Sequence, residues 1–396
     1  MNVPEGWTRS TLDSAISRIQ AGFSAPGETR PIQKGEAGVL RTGAVLGGRF
    51  DASAHKVVTQ RVTDLKVPVR HNTVLLGRKN SAEMVGAAVF IDQDHPRLYL
   101  SDLIWELTPS TRADAEWLAY ALQNASMSSR IRLAATGTQS TMKNLSRSDF
   151  VRLPVDLPPL PEQRKIAEIL RTWDDAIERF ESLILARNTA MLMRRNHLID
   201  QQPSHELVPL GEVFVERVDR ARSDARLLSV TRRQGVVRHS ETGRKDSSSS
   251  DRSKYKSVLP GDIAYNTMRM WQGASGLVGE EGMVSPAYTV ITPVRTRILP
   301  QFAAHLIKSE RMIFEFQRNS QGITSDTWNL KFPAFARIRG AVPSLPAQSR
   351  IANMLDACSA EISLLDRQLE LLRTQKRGLM QKLLTGEVRV NVDGGE

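Results

Sequence analysis

Cysteine and long apolar runs are scarce in this sequence. Cys358 is the single cysteine among 396 residues, so one chain can form neither an internal disulfide nor a metal site built from several thiolates. No apolar run approaches the ~18 residues of a membrane-spanning helix, and the opening MNVPEGWTRS lacks the apolar core of a secretory signal. We therefore expect a soluble, cytoplasmic protein without a membrane partner.

Recognisable catalytic and metal-binding patterns are also lacking. The seven histidines, at positions 55, 71, 95, 197, 205, 239 and 305, do not have the spacing typical of metal ligands. The chain has no GxxxxGKS/T loop to hold nucleotide phosphates, and no glycine-rich loop is convincingly placed after a strand. We expect no catalytic site, no bound metal and no cofactor in this chain.

Positive charge is in excess. Lysine and arginine number 54 against 43 aspartate and glutamate, which gives a net charge of +11 and a pI near 10.0. Such a surplus can serve solubility alone, but in a cytoplasmic chain it favours a polyanionic partner. Nucleic acid is the expected partner.

A long amphipathic helix is predicted twice. The first copy opens as LPEQRKIAEIL at Leu160 and runs to about Asp200, and the second opens as LPAQSRIANML at Leu345, 185 residues later. Apolar residues recur in both at steps of four and three, the seam of a helix that packs against another helix. The shared phase and shared opening indicate a tandem duplication. The predicted seam residues are Ile166, Leu170, Trp173, Ile177, Phe180, Ile184, Ile351, Leu355, Cys358, Ile362, Leu365, Leu369 and Leu372.

Three polar residues interrupt the seam in the later half of each helix: Arg187, Arg194 and Lys376. They either keep their charged ends in water at a frayed helix end, or set the register of the helix pair or contact a partner. The sequence does not decide between these interpretations.

The remaining sequence forms two mixed α and β segments. β-rich runs with turn residues between them are expected at 73–76, 87–91 and 103–107, and a helix at 113–124. Proline excludes helix from most of the stretch 153–161, and residues 156–160 within it are interpreted as a linker before the first long helix. The expected divisions are a domain at 1–157, a helix at 158–203, a domain at 204–342, a helix at 343–390 and a frayed tail at 391–396.

The two segments match best near their ends. GTQSTMKNL from Gly137 corresponds to GITSDTWNL from Gly322, again 185 residues later. Between such matches they diverge, and only the second contains the stretch from Arg217 to Lys256, with 12 basic and 5 acidic residues. That stretch is either a solvated flexible loop or a DNA contact.

These motifs resemble the specificity subunit of type I restriction-modification enzymes over essentially the whole chain. They are the two LPxQxxIA openings, the preceding segments at Gly137 and Gly322, and the closing QKLLTGEV at 381–388. The resemblance implies an α+β fold with two target recognition domains and two long helices that pack as an antiparallel coiled coil, related by an internal pseudo-twofold repeat. The Glu162-Gln163 pair, usual in the family, becomes Ala347-Gln348 in the second copy, which affects only local capping.

The resemblance also implies a division of labour. Each domain reads one half of an asymmetric, interrupted site in double-stranded DNA, and the helices act as spacer and as docking surface. Modification subunits, two per chain because the helix openings are duplicated, would bind S-adenosylmethionine, and restriction subunits would use ATP and Mg²⁺. The alternative is a structural adaptor that organises partners without reading DNA.

Candidate DNA contacts are side chains that can bond to base edges or phosphates near predicted strand ends and turns. In the first domain they are Arg78, Lys79, Asn80, Gln139, Ser140, Thr141, Lys143 and Asn144. In the second they are Arg232, Arg233, Asn266, Arg269, Trp271, Gln272, Thr324, Ser325, Thr327, Trp328 and Asn329. Positions identical in both halves fit scaffold or phosphate contacts better than base reading, because the two domains should read different sequences.

Overall fold

Two compact units divide the chain. The computed structural model describes residues 3–58, 65–137, 142–201, 206–232, 234–243, 252–324 and 326–391. Unit 1 comprises residues 1–179 together with 369–396, and unit 2 comprises residues 180–368. Each unit therefore contains one of the two divergent segments and a part of each long helix.

Unit 1 is a mixture of short strands and helices. Its strands are β1 (Thr8–Thr11), β2 (Ile16–Ala21), β3 (Gly27–Glu28), β4 (Ala37–Leu40), β5 (His55–Val58), β6 (Pro68–Val69), β7 (Thr73–Gly77), β8 (Lys79–Asn80), β9 (Ala88–Ile91), β10 (His95–Tyr99), β11 (Ile104–Pro109), β12 (Lys143–Asn144) and β13 (Pro154–Leu157). Its helices are α1 (Leu12–Ala15), α2 (Ala115–Gln123), α3 (Ala125–Ala134) and α4 (Arg147–Val151), followed by the long helix α5 (Leu160–Ile199), which begins in this unit.

Strand β7 lies within the antiparallel sheet of order β2-β11-β7-β9 and is buried along its whole length. Because side chains alternate between the faces of a strand, Val74 and Leu76 join one hydrophobic cluster with α2 and the start of α5. Leu75 joins a second cluster with a five-stranded sheet of order β3-β5-β4-β10-β6. Burial on both faces explains the continuous apolar run in this strand.

Unit 2 repeats the four-stranded sheet. Its strands are β14 (Glu206–Pro209), β15 (Phe214–Arg217), β16 (Leu228–Thr231), β17 (Gly235–Arg238), β18 (Lys256–Val258), β19 (Ile263–Asn266), β20 (Ser275–Leu277), β21 (Gly282–Val284), β22 (Tyr288–Pro293) and β23 (Arg339–Val342). Its helices are α6 (Pro300–Leu306), α7 (Glu310–Asn319) and α8 (Phe332–Arg337), followed by the long helix α9 (Leu345–Thr385), whose last residues belong to unit 1.

The order β15-β22-β19-β20 corresponds strand by strand to β2-β11-β7-β9 of unit 1. Ile263 and Tyr265 of β19 enter one hydrophobic cluster with Phe302 and Phe335, and Ala264 between them enters another. In place of the five-stranded sheet of unit 1, the described part of unit 2 has the pairs β16-β17 and β18-β21. The duplication thus preserves the central sheet and varies the layer beside it.

The proline-rich stretch is partly strand, because β13 spans Pro154–Leu157. The interpretation of 156–160 as a linker is therefore wrong for residues 156 and 157. Strand β13 pairs antiparallel with β1, and β23 pairs in the same way with β14. Proline is tolerated because each pair is an isolated ribbon whose outer edge needs no amide donor. Helix α5 follows at Leu160, immediately after the last two residues of the linker, Pro158 and Pro159.

Helices α5 and α9 pack against each other in opposite directions. Within unit 2, Arg187 Nε lies 3.1 Å from Glu361 Oε1, and Arg194 Nη1 donates to Cys358 Sγ at 3.2 Å. Residue numbers therefore fall along α9 as they rise along α5. Helix α9 ends before Gly386, whose φ of +71° is the left-handed conformation common after a helix C-terminus.

The seam side chains are buried or half-buried in their units. The buried ones are Ile166, Leu170, Ile184, Ile351, Leu355, Ile362 and Leu369, and the half-buried ones are Trp173, Ile177, Phe180, Cys358, Leu365 and Leu372. None of the helices in the described residues is long and apolar enough to cross a membrane.

Candidate DNA interface

One end of the central sheet in unit 1 brings together two of the predicted DNA-contact segments. Strand β8, Lys79–Asn80, pairs antiparallel with β12, Lys143–Asn144. The Leu145 amide donates to the Arg78 carbonyl at 2.9 Å and extends this pairing. Gln139, Ser140 and Thr141, also predicted here, lie outside the described residues.

Several of these side chains already have partners. Arg78 Nε donates to the Asp102 carbonyl at 2.8 Å, and its guanidinium carbon lies 5.7 Å from the centre of the Trp105 ring. Lys143 Nζ donates to the Gly137 carbonyl at 2.6 Å. Lys79 makes no ion pair with any described residue. Arg78 and Lys143 thus hold the loops together, while Lys79 keeps its charge available for a phosphate.

The same end of unit 2 has two of these backbone connections. The Leu330 amide donates to the Thr267 carbonyl at 2.9 Å, as Leu145 does to Arg78, and Asn329 bridges to Gln321 as Asn144 does to Thr136. These equivalences place Thr267, Met268 and Trp328 where unit 1 has Arg78, Lys79 and Lys143.

Gly137 and Gly322 are required by this geometry. Their φ angles are +143° and +150°, and a Cβ at either position would lie 2.6 Å from a carbonyl oxygen, that of Met142 or Thr327. The glycines therefore serve the scaffold, in agreement with the expectation for matched positions.

The side chains at this end of unit 2 form a different surface. Arg269 Nη1 lies 3.5 Å from Asp326 Oδ1, and these side chains are 42% and 85% exposed. The Trp271 and Trp328 rings pack edge to face, with centroids 5.2 Å apart. This surface combines a cation with aromatic side chains, whereas the corresponding end of unit 1 is polar and basic.

The other predicted residues of unit 2 lie around this surface. Asn266 Oδ1 accepts from the Met268 amide at 3.0 Å, and Thr327 Oγ1 donates to the Thr324 carbonyl at 2.9 Å. Gln272 ends the 3-10 turn Met270–Gln272 and is half-buried. Ser325 lies outside the described residues. The structure thus brings the predicted segments 266–272 and 324–329 together at one sheet end.

The basic stretch 217–256 is only partly a loop. It contains the hairpin β16-β17, with Arg232 at its turn, while Arg233 lies outside the described residues. Arg226 and Arg238 both pair with Glu280 and hold the pKa of that carboxyl at about 2. The expectation of one solvated flexible loop is therefore wrong for this hairpin, because internal ion pairs occupy part of its charge.

The glutamine of each helix opening is a buried structural residue. Gln163 is fully buried, and its Oε1 accepts from the Asp114 amide at 2.8 Å. Its Nε2 donates to the carbonyls of Arg112 and Pro158, both at 2.9 Å.

Gln348 is also fully buried and makes the same three bonds, to the Leu299 amide and to the carbonyls of Arg297 and Pro343, at 2.8, 2.9 and 2.8 Å. The shared LPxQ motif therefore fixes the start of each long helix to its own unit. The three-bond role was not predicted, although the identical spacing of the two motifs was the available signal.

Glu162 has a role beyond the local helix capping that was expected from the sequence. Its carboxylate accepts from Trp7 Nε1 at 3.0 Å and from Arg389 Nε and Nη2 at 2.7 and 2.9 Å. The residue is 3% exposed, so these are nearly buried, charge-assisted bonds. Glu162 thus joins the start of α5 to segments near both ends of unit 1, and Ala347 in the second copy has no side chain for this purpose.

The polar residues of the seam all contact the opposite long helix. Lys376 Nζ lies 2.6 Å from both carboxylate oxygens of Asp174, which also accepts from the Tyr120 hydroxyl at 2.8 Å. Burial, with the nearby Asp174 carboxylate, raises the pKa of the Tyr120 hydroxyl. With the Arg187 and Arg194 contacts described above, these pairs support a role in helix register over solvated fraying.

Metal-binding and acid-base groupings do not define this interface. Among the described residues, no group of three or more His, Cys, Asp or Glu side chains is arranged to hold a metal ion. His305 Nε2 lies 2.8 Å from Asp356 Oδ1, and burial lowers the pKa of His305. This pair links α6 to α9 and lies away from the sheet end described above.

Known proteins share this organisation. Residues 4–185 match the family described as "Type I restriction modification DNA specificity domain". The S subunit of a type I restriction-modification system from M. genitalium is similar in fold, with a TM-score of 0.59, 17% identity and coverage of 97% of this chain and 96% of that one. A chain from a structural study of complex assembly and conformational transition of the type I R-M system gives a TM-score of 0.54 and 13% identity, with coverage of 98% and 100%.

Residues 4–185 are therefore similar to a type I restriction-modification DNA specificity domain, and the chain has the fold of a type I S subunit over nearly its whole length. The family resemblance and the α+β fold class predicted from the sequence are confirmed.

Proposed function

We propose that the chain acts as a non-catalytic DNA specificity subunit, in which each unit reads one half of an asymmetric, bipartite site. The proposal rests on one observation: the two units share a backbone scaffold at one end of the central sheet but present different side chains there. Leu145 bonds to Arg78 in unit 1 as Leu330 bonds to Thr267 in unit 2, and the adjoining side chains are Lys79 and Lys143 in unit 1 but Met268 and Trp328 in unit 2. Equal scaffolds with unequal side chains are what two different half-sites require.

The excess of positive charge supports DNA as the ligand. The net charge of +11 favours binding to a polyanion at any sequence, and phosphate contacts of this kind set position without selecting bases. Selection then depends on side chains that reach base edges, and Arg269 is one candidate, with its side chain 42% exposed at the sheet end of unit 2.

The helix pair is proposed as the spacer between the half-sites and as the docking surface for two modification subunits per chain. Gln163 and Gln348 are fully buried and cannot contact a partner, so docking falls to exposed neighbours such as Lys165 and Arg350. The modification subunits would hold S-adenosylmethionine, and restriction subunits would use ATP and Mg²⁺, in the cytoplasm. A native mass with a single modification subunit bound at saturation would contradict the two-site arrangement.

The test is selection from a pool of random-sequence duplexes by the chain in complex with its modification subunits, at several salt concentrations. We expect enrichment of a bipartite sequence and an affinity that falls steeply with salt. Arg269→Ala should relax preference in one half-site only, while Arg187→Ala, on the helix pair, should leave both half-sites unchanged. If Arg269→Ala weakened binding equally to all duplexes, Arg269 would be a phosphate contact. If the wild-type chain enriched no sequence, the alternative function as a structural adaptor would be supported instead.

A further inference from the structure

The sheet end of unit 2 exposes apolar side chains beside its arginine. The Ile323 side chain is 99% exposed and that of Met268 is 41% exposed. They belong to two segments that lie against each other, because Leu330 bonds to Thr267 and Arg269 pairs with Asp326. We call Met268, Trp271, Ile323 and Trp328 the apolar tip.

Several hydrogen bonds and one ring contact hold the apolar tip and the residues next to it in place. Trp271 Nε1 donates to the Met268 carbonyl at 3.2 Å, and the Trp271 ring packs on Trp328. Beside Ile323, the Thr324 amide donates to Thr327 Oγ1 at 3.1 Å, and Thr327 Oγ1 donates back to the Thr324 carbonyl. Apolar side chains held at a protruding surface lose favourable burial unless a ligand covers them.

Unit 1 has charged residues at the corresponding places. Lys79 corresponds to Met268, and Lys143 corresponds to Trp328, through the paired backbone bonds of the two units. The apolar tip is therefore a property of the second recognition surface and not of the shared scaffold. It belongs to the part of the chain that should differ between the half-sites.

We propose that Ile323, with Met268 of the neighbouring segment, reads thymine methyl groups in one half-site. This inference rests on the proposed function. The thymine C5-methyl is the apolar group that base pairs present in the major groove, and it is recognised by apolar contact. Arg269, exposed next to the tip and paired with Asp326, supplies the cation that a DNA-facing surface needs. DNA is thus favoured over a protein partner as the molecule that covers the tip.

The experiment replaces thymine by uracil, which removes only the methyl group. The site selected by the wild-type complex is synthesised with uracil in one half-site or in the other, and affinities are measured at one salt concentration. We expect roughly fourfold weaker binding when uracil replaces thymine in one half-site, because burial of a methyl group contributes about 0.8 kcal/mol. Uracil in the other half-site should leave the affinity unchanged.

Ile323→Ala should weaken binding to the thymine site and abolish the difference between thymine and uracil. Val215→Ala is the matched control, because Val215 is an exposed aliphatic residue of β15 in the same unit, 58% exposed, and should leave that difference intact. The inference is overturned if uracil has no effect in either half-site, or if the effect persists in Ile323→Ala. It is also overturned if Ile323→Ala impairs only assembly with the modification subunits. Failure of the wild-type complex to select any sequence would instead refute the proposed function.

Discussion

The two buried glutamines should be worth similar amounts of stability in their separate units. Gln163→Met keeps the side-chain length but removes one acceptor and two donated bonds, leaving the Asp114 amide and two carbonyls without their partner. Each such buried group costs about 1 kcal/mol, so we expect a loss of roughly 3 kcal/mol, a large part of the ~5–15 kcal/mol that stabilises a domain. Gln348→Met should cost the same in unit 2.

Amide hydrogen exchange measures this loss where it occurs. Oε1 of Gln163 accepts from the Asp114 amide, and Oε1 of Gln348 accepts from the Leu299 amide. We expect each variant to lose protection at its own amide while the other amide stays protected, so each protein is the control for the other. Urea unfolding gives the size of the effect.

Gln163→Glu adds a second test with the opposite chemistry. It retains an acceptor for the Asp114 amide but sets a carboxylate against the carbonyls of Arg112 and Pro158. We expect it to be less stable than wild type at neutral pH and to recover part of the loss in acid, where a protonated carboxyl can donate one bond. A stability change below about 1 kcal/mol in all three variants, with both amides still protected, would refute the structural role of the motif.

Other contacts give further predictions. Lys376→Met should lower stability by about 1–3 kcal/mol in urea unfolding, because it removes the nearest cation of the mostly buried Asp174 carboxylate and leaves it with Arg49, 4.0 Å away. Arg187→Met, at an exposed pair, should cost less than about 1 kcal/mol, and equal losses would contradict this ranking. Burial raises the pKa of Glu106, so the folded state binds the proton of this carboxyl more tightly than the unfolded state does, and stability falls as pH rises from about 4.5 through the folded pKa. The melting temperature of Glu106→Gln should therefore exceed that of wild type by a margin that grows with pH. A margin that stays constant with pH would contradict this prediction. Burial lowers the pKa of His305, so stability should fall as pH drops from about 6.5 through the folded pKa. In melting temperatures measured across this pH range, His305→Gln should show a smaller decrease than wild type. An equal decrease would mean that other groups cause the loss of stability.

Local periodicity was sufficient to predict the two long helices and part of the central sheet. The seam spacing predicts that α5 begins at Leu160 and α9 at Leu345, as observed, because the buried residues of an amphipathic helix recur on every turn. Strands β7, β9 and β11 also lie at the predicted apolar runs, within a few residues.

Pairing between distant segments could not be predicted in this way. Strand β13 contains Pro154 and looks like a linker, but it is formed by pairing with β1, about 145 residues earlier. Glu162 looks like a helix-capping residue, and its bonds to Trp7 and Arg389 depend on segments brought together only by the fold. No local pattern encodes such partners.

The same limit applies to the candidate interface. The spacing of the matched motifs predicts that Gly137 and Gly322 serve one scaffold, and their left-handed φ angles agree. Whether an arginine is available to DNA depends on its neighbours. Arg78 is held by the Asp102 carbonyl and Trp105, while the Arg269 side chain is 42% exposed and lies 3.5 Å from Asp326. Ile323 was not predicted, because a single apolar residue in a polar loop carries no periodic signal.

The bonds of Glu162 have a consequence for synthesis of the protein. Unit 1 needs residues 369–391, including Arg389, to complete its core and its contacts, whereas unit 2 is one continuous stretch from 180 to 368. On the ribosome, residues 1–179 therefore keep part of their apolar surface uncovered until residues 369–391 have been made. Unit 2, which is continuous in sequence, can be completed before unit 1.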